Sequence, residues 1–230
     1  MTEETRRNDS SRAPAWMRVV IATGVVLAVL LVGASAGLLV QLPERGSTEP
    51  GPGSVDVGFS QDMSVHHRQA VLMAGIARDR STDPAIRTLA YDIETTQLEQ
   101  IGRMQGWLSL WDASALPTGN HMTWMAGTGH SGHGSAHGSG GVAVMPGMAS
   151  GEELARLQRV SGPELDVLFL QLMLRHHQGG TPMLRYAQVR AEVPQLRNLA
   201  RQMLTAQTKE SDYMARLLAE RGAAPLPAPA

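Results

Sequence analysis

The sequence predicts an all-α protein: one N-terminal apolar helix, followed by a four-helix bundle built from two repeated helical hairpins. Three observations predict it. The stretch Asp56 to Met73 returns as Asp166 to Met183, and the copies stay in register through Phe59/Phe169, Met63/Met173, His66/His176, His67/His177, Pro84/Pro194, Gln97/Gln207 and Met104/Met214. Apolar residues inside each copy recur at the helical period, and strand-like alternation is absent. Each copy holds two such stripes joined by a short turn, and two amphipathic hairpins bury their stripes most simply against each other.

The N-terminal helix rests on Val19 to Leu42, which carries no charge and is long enough to cross a hydrocarbon core of roughly 30 Å. Arg6, Arg7, Arg12 and Arg18 precede it and Trp16 stands at its start. The positive-inside tendency therefore assigns 1–18 to a cytoplasmic tail, 19–42 to a transmembrane helix or signal anchor, and the remainder to the extracytoplasmic side of the membrane. Ala34-Ser35-Ala36 has the small-x-small form of a cleavage site, so secretion after signal cleavage is the alternative. Pro43 to Gly53 is a Pro/Gly linker, a composition that spaces rather than packs.

The first hairpin repeat is expected over 54–110. Ser54 caps a helix that carries Asp56 in its first turn. At 100° per residue, Asp56, Phe59, Met63, His66, His67, Ala70, Met73, Ala74 and Ala77 share one buried stripe. Asp83-Pro84 opens the second helix, Pro being tolerated where its missing N–H would be unpaired anyway. That helix presents Leu89, Ile93, Gln97, Ile101, Met104 and Leu108. Residues 111–150 form a Gly-, His- and Met-rich linker that holds four of the eight histidines (His121, His130, His133 and His137); by composition it makes no core, and its His content hints at metal. The capping boxes Ser150/Glu153 and Ser161/Glu164 start a short helix and the third long helix. Pro194 begins the fourth. The second repeat therefore fills 151–222, and 223–230 is a Pro/Ala tail.

Composition excludes several classes. A net charge of −1, with basic residues scattered among acids, lacks the electrostatic footprint of a nucleic-acid binder. With no cysteine there are no disulfides, thiolate zinc sites or cysteine nucleophiles. What remains is imidazole paired with thioether. Imidazole suits copper, zinc, iron and nickel, while thioether selects Cu(I) and its relatives. Met63, His66, His67 and Met73 fall on one helical face, and Met173, His176, His177 and Met183 repeat the arrangement. These eight are the candidate metal ligands, with Met104 and Met214 on the partner helices able to complete them. A methionine on a stripe also serves as core filler, but four buried imidazoles without partners cost desolvation. Gln97 and Gln207 are candidate partners for the ring N–H groups. Asp56 and Asp166 either favour a helix dipole or orient a histidine.

The pattern D-x-x-F-x-x-x-M-x-x-H-H-x-x-A-x-x-M-A at 56–74, its second copy at 166–183, and the intervening M-P-G-M and E-E-L-A-R-L resemble the family called domain of unknown function 305, over roughly 54–220. The resemblance implies a ferritin-like helical bundle, exported or membrane-anchored in bacteria, with some members linked to copper binding and resistance. It points to the same eight residues. Relatives tend to read H-H-E-G-A in the second copy; here it is His176-His177-Gln178-Gly179-Gly180, and Pro182 follows inside the helix, where a kink is expected.

The functional expectation is a membrane-anchored extracytoplasmic protein that sequesters or delivers copper, Cu(I) favoured, without turnover. Two alternatives come from other classes. One is a ferritin-like redox enzyme such as a metal oxidase, which the absence of Glu-x-x-His spacing at either pair disfavours. The other is a metal-free helical interaction module. Homo-oligomerisation and a metal-exchange partner protein are left open.

Overall fold

The computed structural model describes residues 14–41, 49–125 and 140–229. The helices are α1 (Ala15–Gln41), α2 (Val55–Arg80), α3 (Pro84–Leu110), α4 (Gly151–Arg159), α5 (Gly162–Arg190) and α6 (Pro194–Glu220), with one 3-10 turn at Thr123–Met125. Among the described residues there is no strand; one isolated antiparallel bridge pairs His121 with Val142. The fold is all-α.

The chain divides into two units, Met1–Thr48 and Glu49–Ala230. In the first, Ala15–Ser35 of α1 is long and apolar enough to cross a membrane. Its apolar residues lie on every side of the helix, unlike the one-sided stripe of a helix that packs on a core.

In the second unit, α2 pairs with α3, α5 pairs with α6, and the two hairpins meet through α2 against α5. Local chemistry sets the helix starts. The Ser54 hydroxyl accepts from the Val57 N–H at 3.2 Å, and the Asp83 carboxylate accepts from the Ala85 N–H at 2.8 Å. Ser150 and Glu153 form a reciprocal capping box. Substituting such a cap costs about 1 kcal/mol. At α6 the N-cap is Val193, which has no side-chain acceptor. Asp56, from the start of α2, supplies one: its carboxylate accepts from the Glu192 N–H at 2.8 Å and the Val193 N–H at 2.9 Å. Asp166, at the start of α5, accepts from the Ser81 hydroxyl at 2.6 Å, in the turn between α2 and α3. Each long inner helix thus begins by fastening the turn of the opposite hairpin. Neither aspartate touches a histidine, which corrects the orienting role left open for them.

Two apolar clusters fill the unit. One joins Ala70, Met73 and Ala77 of α2 to Leu165, Phe169 and Met173 of α5 and to Met214 of α6. The other joins Phe59 and Met63 of α2 to Met183, Leu184 and Ala187 of α5, with Met104 and Met203 from the outer helices. The early half of α2 therefore faces the late half of α5, and the reverse, as antiparallel helices require. α5 continues unbroken past Pro182, where the Thr181 hydroxyl donates back to the His177 carbonyl at 3.1 Å.

The linker contributes more to the core than its composition predicts. Met122, Trp124, Met145 and Ala149 are buried. Trp124 lies on α2 where Gly58 leaves room, since a Cβ at residue 58 would sit 2.4 Å from the indole Cγ. It meets the rings of Phe59 and Tyr186 edge-on at 5.8 and 5.6 Å. The buried Asp62 carboxylate accepts from the His121 Nδ1–H (2.6 Å), the Met122 N–H (2.6 Å) and the Trp124 Nε1–H (2.8 Å). At the far end, the Gln69 amide clamps Ala149, accepting from its N–H at 2.6 Å and donating to its carbonyl at 2.9 Å. Both ends of the linker are thereby held to α2. His130, His133 and His137 lie outside the described residues.

Candidate metal centre

The four histidines of the repeated motif meet where α2 crosses α5. None exceeds 1% exposure. The imidazoles of His66 and His176 face each other with centroids 3.7 Å apart and planes 34° apart, and the His177 ring lies 6.4 Å from that of His176. They belong to neither apolar cluster, and they occupy the segments of α2 and α5 between the residues that supply one cluster and those that supply the other.

The ring nitrogens are used unequally. Each Nε2 faces an oxygen acceptor: His67 faces the Gln100 amide oxygen at 2.8 Å, His177 the Glu210 carboxylate at 2.6 Å, His176 the His66 carbonyl at 3.1 Å, and His66 the Pro146 carbonyl at 3.4 Å. Oxygens of this kind accept, so the proton resides on Nε2 and the lone pair on Nδ1. The Nδ1 atoms of His66, His67 and His177 are buried and find no hydrogen-bond partner among the described residues. Three lone pairs are thus withdrawn from water without a donor.

Burial keeps the rings of His66, His67 and His176 neutral. Desolvation, reinforced by neighbouring imidazoles, pushes His66 down to about 3 and His176 well below its ordinary value. Desolvation likewise pushes His67 down to about 4, although its bond to Gln100 opposes the shift. For these three rings the ligand-competent base is already the resident form at neutral pH.

All eight sequence candidates are buried, and Met63, Met73, Met173 and Met183 are fully so. The structure distributes them differently from the sequence grouping. Met63 and Met183 share one cluster with Met104, Met122, Met145 and Met203; Met73 and Met173 share the other with Met214. Methionines pair across the two repeats, because antiparallel packing sets the early part of one inner helix beside the late part of the other. Among the described residues no group of three or more His, Asp or Glu side chains stands together as a metal-binding set, so the imidazoles alone do not complete a coordination shell.

The partners of the ring N–H groups are Gln100 and Glu210, one turn beyond the expected Gln97 and Gln207. Gln97 and the Gln207 Oε1 atom are buried without partners instead. The signal was present in the sequence, since Gln100 and Glu210 stand at equal spacing after His67 and His177.

One segment closes over the pair. Pro146 and Gly147 lie directly on α5. A Cβ at Gly179 would come within 2.1 Å of the Pro146 carbonyl oxygen, and Gly147 adopts φ +79 with its Cα against Gly179. Two glycines therefore permit this approach, and it delivers the Pro146 carbonyl to His66. Gly180 leaves space on the other side, where a Cβ would lie 3.2 Å from His66 Cε1 and 3.6 Å from the Gln207 Oε1 atom.

Fold and site together define a helical protein of two paired hairpins with a buried imidazole quartet at their crossing. The chain belongs to the family Domain of unknown function (DUF305), whose model matches residues 56–218. It is similar to a DUF305 protein from Streptomyces coelicolor, with 42% identity and a TM-score of 0.68, over 77% of this chain and 99% of that one. A DUF305 fragment from Deinococcus radiodurans shows 30% identity and a TM-score of 0.58, over 74% of this chain and 98% of that one. CopM in its Cu(I)-bound form shares the fold at 21% identity and a TM-score of 0.54, over 72% of this chain and 96% of that one. No curated protein matches the chain.

Proposed function

We propose that this protein binds copper on the outer side of a bacterial cell membrane, to which α1 anchors it, and that it sequesters the metal or hands it on without turnover. The observation that carries the reading is the set of buried, unpartnered Nδ1 lone pairs on His66, His67 and His177. An imidazole fixed through Nε2–H to an oxygen, with Nδ1 bare, is a ring prepared to bind metal. Leaving buried acceptors unpaired costs about 1–3 kcal/mol each, a cost that a bound cation removes.

Thioether narrows the choice. Met63, Met73, Met173 and Met183 lie on the same helices as the histidines, a soft donor set that favours Cu(I) over zinc or magnesium. Related folds bind such metals: CopM is known in Cu(I)-bound, Cu(II)-bound and silver-bound forms. As cargo, copper would be held by the Nδ1 atoms with methionine sulfur completing the set.

The test is X-ray absorption at the copper edge on the loaded protein. The reading expects mixed nitrogen and sulfur scattering, with nitrogen lost when His66, His67, His176 and His177 are replaced by Ala. Copper bound by sulfur alone, unaffected by those replacements, would overturn the role of the histidines.

A further inference from the structure

The imidazole quartet is nearly symmetric between the repeats, and it departs from symmetry at one chemically decisive place. His67 and His177 occupy equivalent positions, and each gives its Nε2–H to a residue the same distance along the chain. For His67 that acceptor is a neutral amide, Gln100, buried with it. For His177 it is a carboxylate, Glu210, at 2.6 Å, with the ring fully buried and the carboxylate 23% exposed. Both leave a buried, unpartnered Nδ1.

The two acceptors act differently through the ring. A carboxylate that accepts from Nε2–H draws the proton toward itself and raises the electron density at Nδ1; an amide oxygen does so far less. The carboxylate also adds one negative charge a single ring away from whatever Nδ1 binds. A bound cation dominates local electrostatics, and Cu(II) carries one more positive charge than Cu(I), so it gains more from that carboxylate.

Resting on the copper reading above, we propose that Glu210 is a positioning residue that sets oxidation-state preference: its carboxylate, replaced by the neutral Gln100 amide at the equivalent place in the other repeat, favours Cu(II) over Cu(I) at the quartet.

The experiment uses the full chain in detergent. Cu(I) affinity is measured anaerobically and Cu(II) affinity aerobically, each by chelator competition, for wild type, Glu210→Gln and Gln100→Glu. Gln at 210 keeps an acceptor in place, so an unchanged melting temperature is expected. The apo protein is expected to keep the Nε2–H tautomer at His177, read from imidazole ¹⁵N shifts. With Glu210→Gln the Cu(II) affinity is expected to fall at least about 10-fold, as loss of such outer partners does, while Cu(I) affinity changes by less than about threefold. Gln100→Glu is expected to raise Cu(II) affinity. If both oxidation states weaken equally in Glu210→Gln, or neither weakens, the assignment to Glu210 is overturned and copper binding stands. If wild type binds neither state, both readings fall.

Discussion

His66 and His176 stack at 3.7 Å between ring centroids, and the Nε2–H of His176 donates to the backbone carbonyl of His66 at 3.1 Å. Two aromatic bases so close, both out of water, remain together only while both stay neutral. A proton on either would place charge in a site with no room to hydrate it.

Acid should therefore loosen the metal-free protein. His66 and His67 have folded values near 3 and 4 against an ordinary 6.5. Between those limits the unfolded chain binds more protons than the folded one, so their contribution is complete above pH 6.5 and declines as pH falls toward the folded values. At pH 5 each of the two costs about 2 kcal/mol relative to neutral pH. Urea denaturation of the apo protein at pH 7 and pH 5 checks this; equal stability at the two would contradict it.

Asp56 supplies the acceptor that Val193 lacks. Asp56→Ala is expected to lower stability by about 2 kcal/mol, because two turn N–H groups lose their partner in a buried setting. Asp166→Ala, which loses a single hydroxyl donor, should cost less. Thermal melts of both variants read the order, and the reverse order would contradict this account of the turns.

Two glycines in helices should respond in opposite ways to the same change. Gly102→Ala meets nothing within 4 Å and is expected to stabilise by roughly 0.5–1 kcal/mol through the unfolded state. Gly179→Ala drives a methyl group into the Pro146 carbonyl and must displace the segment over His66. It is expected to destabilise and to speed amide exchange at Gly147–Ala149. If both variants stabilise, Pro146 does not pack on Gly179 in solution.

Much of this architecture was readable in advance, because helical periodicity and a duplicated motif report directly on which faces are buried. Phe59, Met63, His66, His67 and Met73 show it: each sits on the inner face of α2. What the pattern could not show is which residue meets which across the hairpins. The stripe groups the thioethers by neighbourhood on one helix, whereas antiparallel packing sets Met63 with Met183 and Met73 with Met173. Periodicity also says nothing about hydrogen-bond direction: it points to Gln97 and Gln207, one turn before the true partners Gln100 and Glu210. The linker misled by composition, since its Gly and Ser content hid the few residues that Asp62 draws into the core.

Asp62 offers a direct check on that last point. Asp62→Ala removes the acceptor for His121, Met122 and Trp124 at once. Trp124 is expected to become more exposed, with a red-shifted emission component and easier proteolysis between residues 120 and 145, while the helices persist by circular dichroism. Unchanged emission and protease resistance would show that the linker holds without this carboxylate.

The central claim is that the buried imidazoles bind copper, and anaerobic Cu(I) titration against a competing chelator tests it most directly. Wild type is compared with the quadruple replacement of His66, His67, His176 and His177 by Ala and with a variant lacking 126–139. Tight binding that is lost in the quadruple variant and kept in the deletion is the predicted result. Binding that survives the quadruple replacement, or that disappears only with the deletion, would contradict it.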